Sequence, residues 1–465
     1  VNAADSAGAL DGLLIADFGR VLAGPYATML LADLGATVVK IERPGTGDDT
    51  RSWGPPWVDG EASYFLSVNR NKQSVTLDLR DPAGLAQAQA LAARADVVVE
   101  NFLPGTMDRL GLGYDDVSRT NPGVVYCSIT GFGREQQLPG YDLLIQAVGG
   151  LMSITGPDRA TPTKVGVAVV DVITGLHAAV GILAALRHRD RTGTGQRVEV
   201  NLLSSLLSAL VNQASGYVTA GVVPQAMGNR HPSIAPYEVL PTADRPLVLA
   251  VGNDRQFQAL TKVLGTAELA EDPRYATNAE RVRHREALIE ELIRALATDT
   301  ADGWYQALTE VGVPCGPLND LADAFALAER LGLSPVTTID DPCRGKPVAT
   351  VSNPIRLSVT PPRYRTAPPR LGGLTLDENG YRQTMSEPNA DSRIDDVVPG
   401  DIITLGSGEP VCKVVHKEST ESGFVVTFED DDGATFQREL AAGTPVTRSL
   451  ESKWESTQSP TAHSD

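Results

Sequence analysis

Asp171 is the residue whose surroundings could turn an ordinary side chain into a nucleophile. It follows the apolar run KVGVAVV and opens DVITGLHAAVGILAALRHR, a helical stretch that is apolar almost all round. A carboxylate between such segments, near helix N–H groups, is desolvated and poised to attack a carbonyl carbon. The same position also fits a helix N-cap, where Asp is favoured. Spacing alone favours the cap, and the dry, lone setting of the carboxylate favours chemistry.

A second pattern is basic. Arg43 ends the stretch TVVKIER, Arg80 ends QSVTLDLR, and Arg109 follows NFLPGTMD, each just beyond a predicted strand. Taken singly, each reads as a surface charge. Gathered at one sheet edge, they would hold phosphates, which guanidinium groups suit.

Other chemistries find less support. Gly19 and Gly24 after the first strand do not make GxGxxG, and neither GxxxxGK[ST] nor GxSxG occurs. Dinucleotide, P-loop and serine-hydrolase chemistry are therefore disfavoured. Asp430, Asp431 and Asp432 resemble part of a calcium loop, but Phe428 stands where its first Asp belongs, so a solvated turn is expected. The cysteines, Cys127, Cys315, Cys343 and Cys412, are scattered without CxxC or a His cluster; reduced thiols and no metal are expected.

Positioning these residues falls to alternating strands and helices. LLIADF, TVVKIE, DVVVENF and GVVYCSITGFG read as strands, and the stretches after Gly24-Pro25 and at PAGLAQAQALAARA read as helices. That alternation predicts a parallel α/β sheet with ligands at its C-terminal edge. YEVLPT, LVLAVGN and RVRHREALIEELIRALAT predict a smaller second unit. DIITL, EPVCKVVHK, GFVVTFED and ATFQREL predict four strands of a small β-barrel-like module.

The chain has 465 residues, too many for one ordinary core, and a net charge of -18 that disfavours nucleic acid and anionic membranes as partners. The N-terminal VNAADSAGALDG lacks a basic region followed by an apolar run, and no run of about 20 uninterrupted apolar residues is seen, since Gly181 breaks the longest. A cytoplasmic location is expected.

The order LLIADFGRVLAGPYATMLLADLGATVVKIERPGTGDDTR, VNRNKQSVTLDL, DVVVENFLPGTMDRLGL and DVITGLHAAVGILAAL resembles the class III CoA-transferases, a family that includes formyl-CoA transferase and the α-methylacyl-CoA racemases. The resemblance runs from about residue 10 to about residue 372. It implies a large Rossmann-like domain over 10–225, a small α/β domain over 226–335, a return segment over 336–373 and an interlocked homodimer. A linker over 374–396 and the β module over 397–450 would follow, where relatives run from PPRLGEHT into a final helix.

The resemblance implies that Asp171 is the transferase nucleophile. It implies CoA contacts at Leu22, Ala23, Arg43, Leu77, Arg80, Asn101, Phe102 and Arg109; Arg80 stands where some members carry Lys. The loop around MGNRHPS, with Gly228, Asn229, Arg230 and His231, would correspond to the active-site lid, though it lacks the glycine run of formyl-CoA transferase. Succinyl-CoA is a common donor among relatives, and Arg230 or His231 could hold a dicarboxylate. No permanently bound cofactor is implied; a CoA thioester is the substrate.

The racemases use a His–Asp pair with the His in a GHD-like sequence, whereas this chain has Gly140-Tyr141-Asp142. A phenol of pKa ~10 is a poor partner for abstracting an α-proton at neutral pH. CoA transfer between carboxylic acids is the leading reading. Epimerisation of a 2-methylacyl-CoA and non-catalytic acyl-CoA binding are the alternatives.

Overall fold

The structure, a computed structural model, describes residues 8–376 apart from 343, and further along 392–394, 397, 402–405, 412–420, 423–429 and 435–449. Cys343 and the Asp430–Asp432 run lie outside the described residues. The chain divides into two units, Val1–Gly373 and Leu374–Asp465.

The first unit is organised by six parallel strands: β1 (Leu14–Asp17), β2 (Thr37–Glu42), β3 (Lys72–Thr76), β4 (Val97–Glu100), β5 (Val125–Thr130) and β6 (Gln196–Asn201). Their spatial order is β3-β2-β1-β4-β5-β6. The chain starts mid-sheet, winds outward to β3 and then returns to the other side of β1. That reversal opens a crevice beyond the C-terminal ends of β1 and β4, where ligands bind in open α/β sheets. The Val97, Val98 and Val99 side chains of β4 are all buried, as both faces of a central parallel strand require.

Helix α1 (Ala23–Asp33) follows β1, and α2 (Pro82–Arg94) precedes β4, capped by Asp81 with Pro82 at its first position. Asp142–Val148 forms the short α3, and Val169–Thr192 forms α4, which ends at Gly193 in the left-handed conformation. Val170, Thr174, Ala178, Ile182 and Ala185 recur every three or four residues and form the buried stripe of α4. Ile182 is fully buried in the central core, so Ile182→Ala would cost about 2–5 kcal/mol. On the other side Leu176, Val180 and Leu183 are exposed. With a mean hydropathy of 2.0 over its most apolar window, α4 meets the length and composition requirement for a membrane span, contrary to the expectation from Gly181. Gly181 does not interrupt the helix, and the stripe facing the core accounts for part of that apolarity. Two further helices, α5 (Leu202–Ala209) and α6 (Val211–Ala220), continue from β6.

A separate hydrophobic cluster that includes Leu249, Phe257, Leu260, Leu288 and Leu292 lies with a three-stranded antiparallel sheet, Tyr237–Leu240, Leu247–Ala250 and Cys315–Pro317. The chain then returns towards α1. The Asp33 carboxylate accepts bonds from Arg70, Asn71 and Asn353, and the Arg365 guanidinium donates to the Ala32 carbonyl in the last turn of α1 and to the Gly35 and Ala36 carbonyls just past it.

In the second unit, antiparallel strands run in the order Ser392–Arg393, Pro445–Ser449, Ile402–Thr404, Cys412–Thr420, Gly423–Glu429 and Thr435–Ala441. Val414, Val426, Phe428 and Val446 form its core. Ser392–Arg393 belongs to the stretch read as linker, and it pairs with Pro445 and Val446.

Candidate active site

Two cavities occupy the crevice. One, of about 640 Å³, is bordered by Arg43, Leu77, Arg80, Phe102 and Arg109. The other, of about 380 Å³, is bordered by Leu22, Ala23, Asn101, Phe102, Tyr141 and Asp171. Both include Arg20, Phe102 and Thr106 in their walls, so they adjoin there.

The turn after β1 shapes this junction, and buried charges fix it. Asp17 accepts bonds from Gly19 N–H at 2.9 Å and Thr28 Oγ1 at 2.7 Å, and pairs with Lys72 at 3.1 Å. Lys40 Nζ donates to the Gly19 carbonyl at 2.7 Å and pairs with Asp48 at 2.8 Å. Burial would raise the Asp48 carboxyl, but the Lys40 charge and the bonds from Lys40 and Thr50 outweigh it and hold the group down at about 2. Burial likewise pulls the Lys72 ammonium down to about 8, against the attraction of Asp17. Asn101 completes the turn: its amide accepts from Arg20 N–H at 2.8 Å and donates to the Arg20 carbonyl at 2.7 Å. Its side chain is thus engaged with protein backbone at the cavity wall. Glu100, buried at the end of β4, accepts from Phe102 N–H at 2.9 Å and sets the next turn.

Asp171 lies in the first turn of α4 but is not its N-cap. The helix begins two residues earlier, because the apolar pair Val169-Val170 is already helical, and Ala168 at the cap position contributes no side-chain bond. The missing acceptor comes from another helix. Asp142 Oδ1 receives Val170 N–H at 2.8 Å and Asp171 N–H at 3.3 Å. Gln146 holds the other Asp142 oxygen at 2.6 Å and accepts Val165 N–H at 2.9 Å. Asp171 is therefore not a lone carboxylate. Burial first, and then the charge of Asp142, push its carboxyl up to about 7.

Two close backbone approaches permit this arrangement. A Cβ on Gly175 would lie 2.7 Å from the Ala23 carbonyl, so glycine one turn after Asp171 lets α4 rest against the start of α1. A Cβ on Gly131 would lie 2.6 Å from Gly140 Cα, which brings the Tyr141-Asp142 segment to the end of β5. Tyr64 is a neighbour that sequence reasoning missed. Burial, followed by the charges of Asp171, Asp142 and Asp48, pushes its phenol up to about 12, so it stays a neutral hydrogen-bond donor. Its ring meets Trp53 edge-on at 5.6 Å. No spacing pattern singles it out.

The expected phosphate-binding arginines do converge on the larger cavity. Arg43 bonds Asp49 at 2.6 Å, Arg80 bonds Asp78 at 3.0 Å, and Arg109 donates to Thr106 at 3.0 Å. Tyr141 is mostly exposed on the rim of the smaller cavity. The expected lid residues border neither cavity of their own chain. Gly228 N–H donates to the Gly156 carbonyl, and Asn229 is exposed. Arg230 pairs with Glu286 at 2.7 Å and Glu238 at 3.6 Å, and His231 packs against Tyr237. The cation bordering the Asp171 cavity is Arg20, which the sequence pattern did not flag. Its signal was its place directly after β1, at the switch point of the sheet.

Residues 10–375 match the model of CoA-transferase family III. The chain is 43% identical to succinyl-CoA:glutarate CoA-transferase of Mus musculus over 80% of its own length and 86% of the relative's. It is 38% identical to acetyl-CoA:oxalate CoA-transferase of Acetobacter aceti, covering 82% and 97% of the two chains. A crystal structure of a CAIB/BAIF family protein from Brucella suis, 42% identical, superposes with a TM-score of 0.70 over 79% of this chain and 97% of that one. With a parallel sheet, a switch-point crevice and these likenesses, the chain belongs to CoA-transferase family III and is a CoA-transferase.

Proposed function

We propose that Asp171 carries the transferred group in two half-reactions. The ionised carboxylate attacks the thioester carbonyl of the donor, the C–S bond breaks, and CoA leaves as thiolate. The thiolate then attacks the aspartyl carbonyl of the mixed anhydride, releasing the donor acid and leaving an aspartyl-CoA thioester. The incoming carboxylate repeats these steps in reverse. Every intermediate keeps the acyl group activated, so water must be kept out. The arginine-bordered cavity would take the CoA phosphates, and the adjoining cavity would hold the thioester against Asp171.

The carrying observation is Asp171 on a cavity that adjoins the arginine-bordered one. Incubation with acyl-CoA and hydroxylamine, followed by peptide mass spectrometry, tests it. The expected product is a hydroxamate at Asp171. An unmodified Asp171 in an enzyme that still turns over would refute the covalent route. The relatives named for glutarate and oxalate support dicarboxylic acids as substrates here.

The working unit in this reading is a homodimer. Leu176, Val180, Leu183, Leu207, Val211 and Val218 leave an apolar surface on α4, α5 and α6 that a second copy would cover. Residues 227–233 would then close over the partner's cavity. The C-terminal β module lies beyond the 10–375 span of the family match and is read as an addition not needed for transfer.

A further inference from the structure

We infer that Arg20 is a specificity-determining residue that receives the second carboxylate of a dicarboxylic substrate. The inference rests on the reading of Asp171 as nucleophile and narrows the substrate class of that same site. Among the described residues bordering the Asp171 cavity, Arg20 is the one cation and Asp171 the one anion. The rest are apolar or neutral, including Leu22, Ile129, Leu138 and Leu202.

A monocarboxylic acid presents its sole carboxylate to Asp171 and has nothing for Arg20. A dicarboxylic acid keeps its distal carboxylate charged through both half-reactions, since only the proximal one is acylated. That charge needs a partner once water is excluded.

Arg20 is built to provide one. Asn101 grips its backbone at both N–H and C=O, which fixes the base of the side chain. The head group bonds Asp49 at 2.5 Å and lies 5.8 Å from the centre of the Phe102 ring. A guanidinium carries five N–H donors, so it can accept a second carboxylate while keeping the first. Asp49 also pairs with Arg43, so two cations share one anion and the group keeps a surplus positive charge.

A CoA phosphate could supply the same anionic chemistry, because Arg20 borders the other cavity too. That cavity already has Arg43, Arg80 and Arg109. The Asp171 cavity has Arg20 alone.

The test uses the full chain, one acyl-CoA donor, and glutarate competing with glutaramate, its length-matched monoamide. The ratio of the two CoA products, read by mass spectrometry, equals the ratio of the acceptors' kcat/KM values. The wild type is expected to favour glutarate by at least about ten-fold, the worth of a hydrogen bond to a charged group. Arg20→Gln should shrink that preference by about ten- to a hundred-fold, and Arg20→Lys should fall between.

A wild-type ratio near one overturns the inference without any variant having to fold. So does an unchanged ratio in Arg20→Gln with a raised KM for the donor, which would make Arg20 a CoA-phosphate ligand. A chain that forms neither product overturns the parent reading and this one with it. Two products in an unchanged ratio overturn the role of Arg20 alone.

Discussion

Replacing Asp171 by Asn should remove transfer and yet make the folded protein more stable at alkaline pH. The carboxyl sits at about 7 in the fold, where an ordinary aspartate sits at 3.8. Above the folded value the native state must hold an ionised carboxylate that its surroundings disfavour, and the unfolded chain bears no such cost. Below about pH 4 both states hold the proton and the penalty disappears. Stability contributed by this group is therefore present at low pH and is lost as pH rises through the window from 3.8 to about 7.

The distance from 3.8 to about 7 corresponds to roughly 4 kcal/mol at full ionisation. Because Asp171 keeps an open face on its cavity, we expect Asp171→Asn to gain about 2 kcal/mol over wild type between pH 5 and pH 8. Urea unfolding of both proteins at the two pH values, at one protein concentration, measures the gain. In parallel, wild-type kcat/KM should rise with pH with a midpoint near 7, since only the ionised form attacks. A gain that is equal at both pH values, or larger at pH 5, would refute the placement of this acid in a low-polarity neighbourhood.

Three further outcomes follow from the same geometry. Asp142→Asn keeps an oxygen to accept Val170 N–H but loses the charge beside Asp171, so the acidic limb of the pH–rate profile should move to lower pH. Val180→Asp places a charge in the exposed apolar surface of α4; size-exclusion chromatography with light scattering should show the proposed dimer of the wild type and a monomer for the variant, with transfer reduced. A chain ending at residue 376 keeps the whole family-matched region and should retain transfer within about two-fold; loss of activity in a folded truncation would make the β module part of the enzyme.

Local pattern alone carried much of this protein's architecture. The alternation of LLIADF, TVVKIE and DVVVENF with intervening helical stretches specified a parallel α/β sheet, because side-chain periodicity and Gly or Pro breaks act within a few residues. The same pattern placed Arg43, Arg80 and Arg109 beyond strand ends, where one sheet edge gathers them. Asp171 was legible as an acid between two apolar segments.

What tertiary structure decided lies in groups brought together across long stretches of chain. The cap of α4 is Asp142, nearly thirty residues before it, so no local reading of DVITG could supply it. Lys40 and Lys72 lie buried inside strands because Asp48 and Asp17 fold against them, and both acids lie outside the local window that sets strand pattern. Arg20 became the cation of the Asp171 cavity, while Arg230, picked from its loop, is held by Glu238 and Glu286. Periodicity records which face of an element is buried. The charge felt at a site depends instead on distances through space, and only the closed fold sets those.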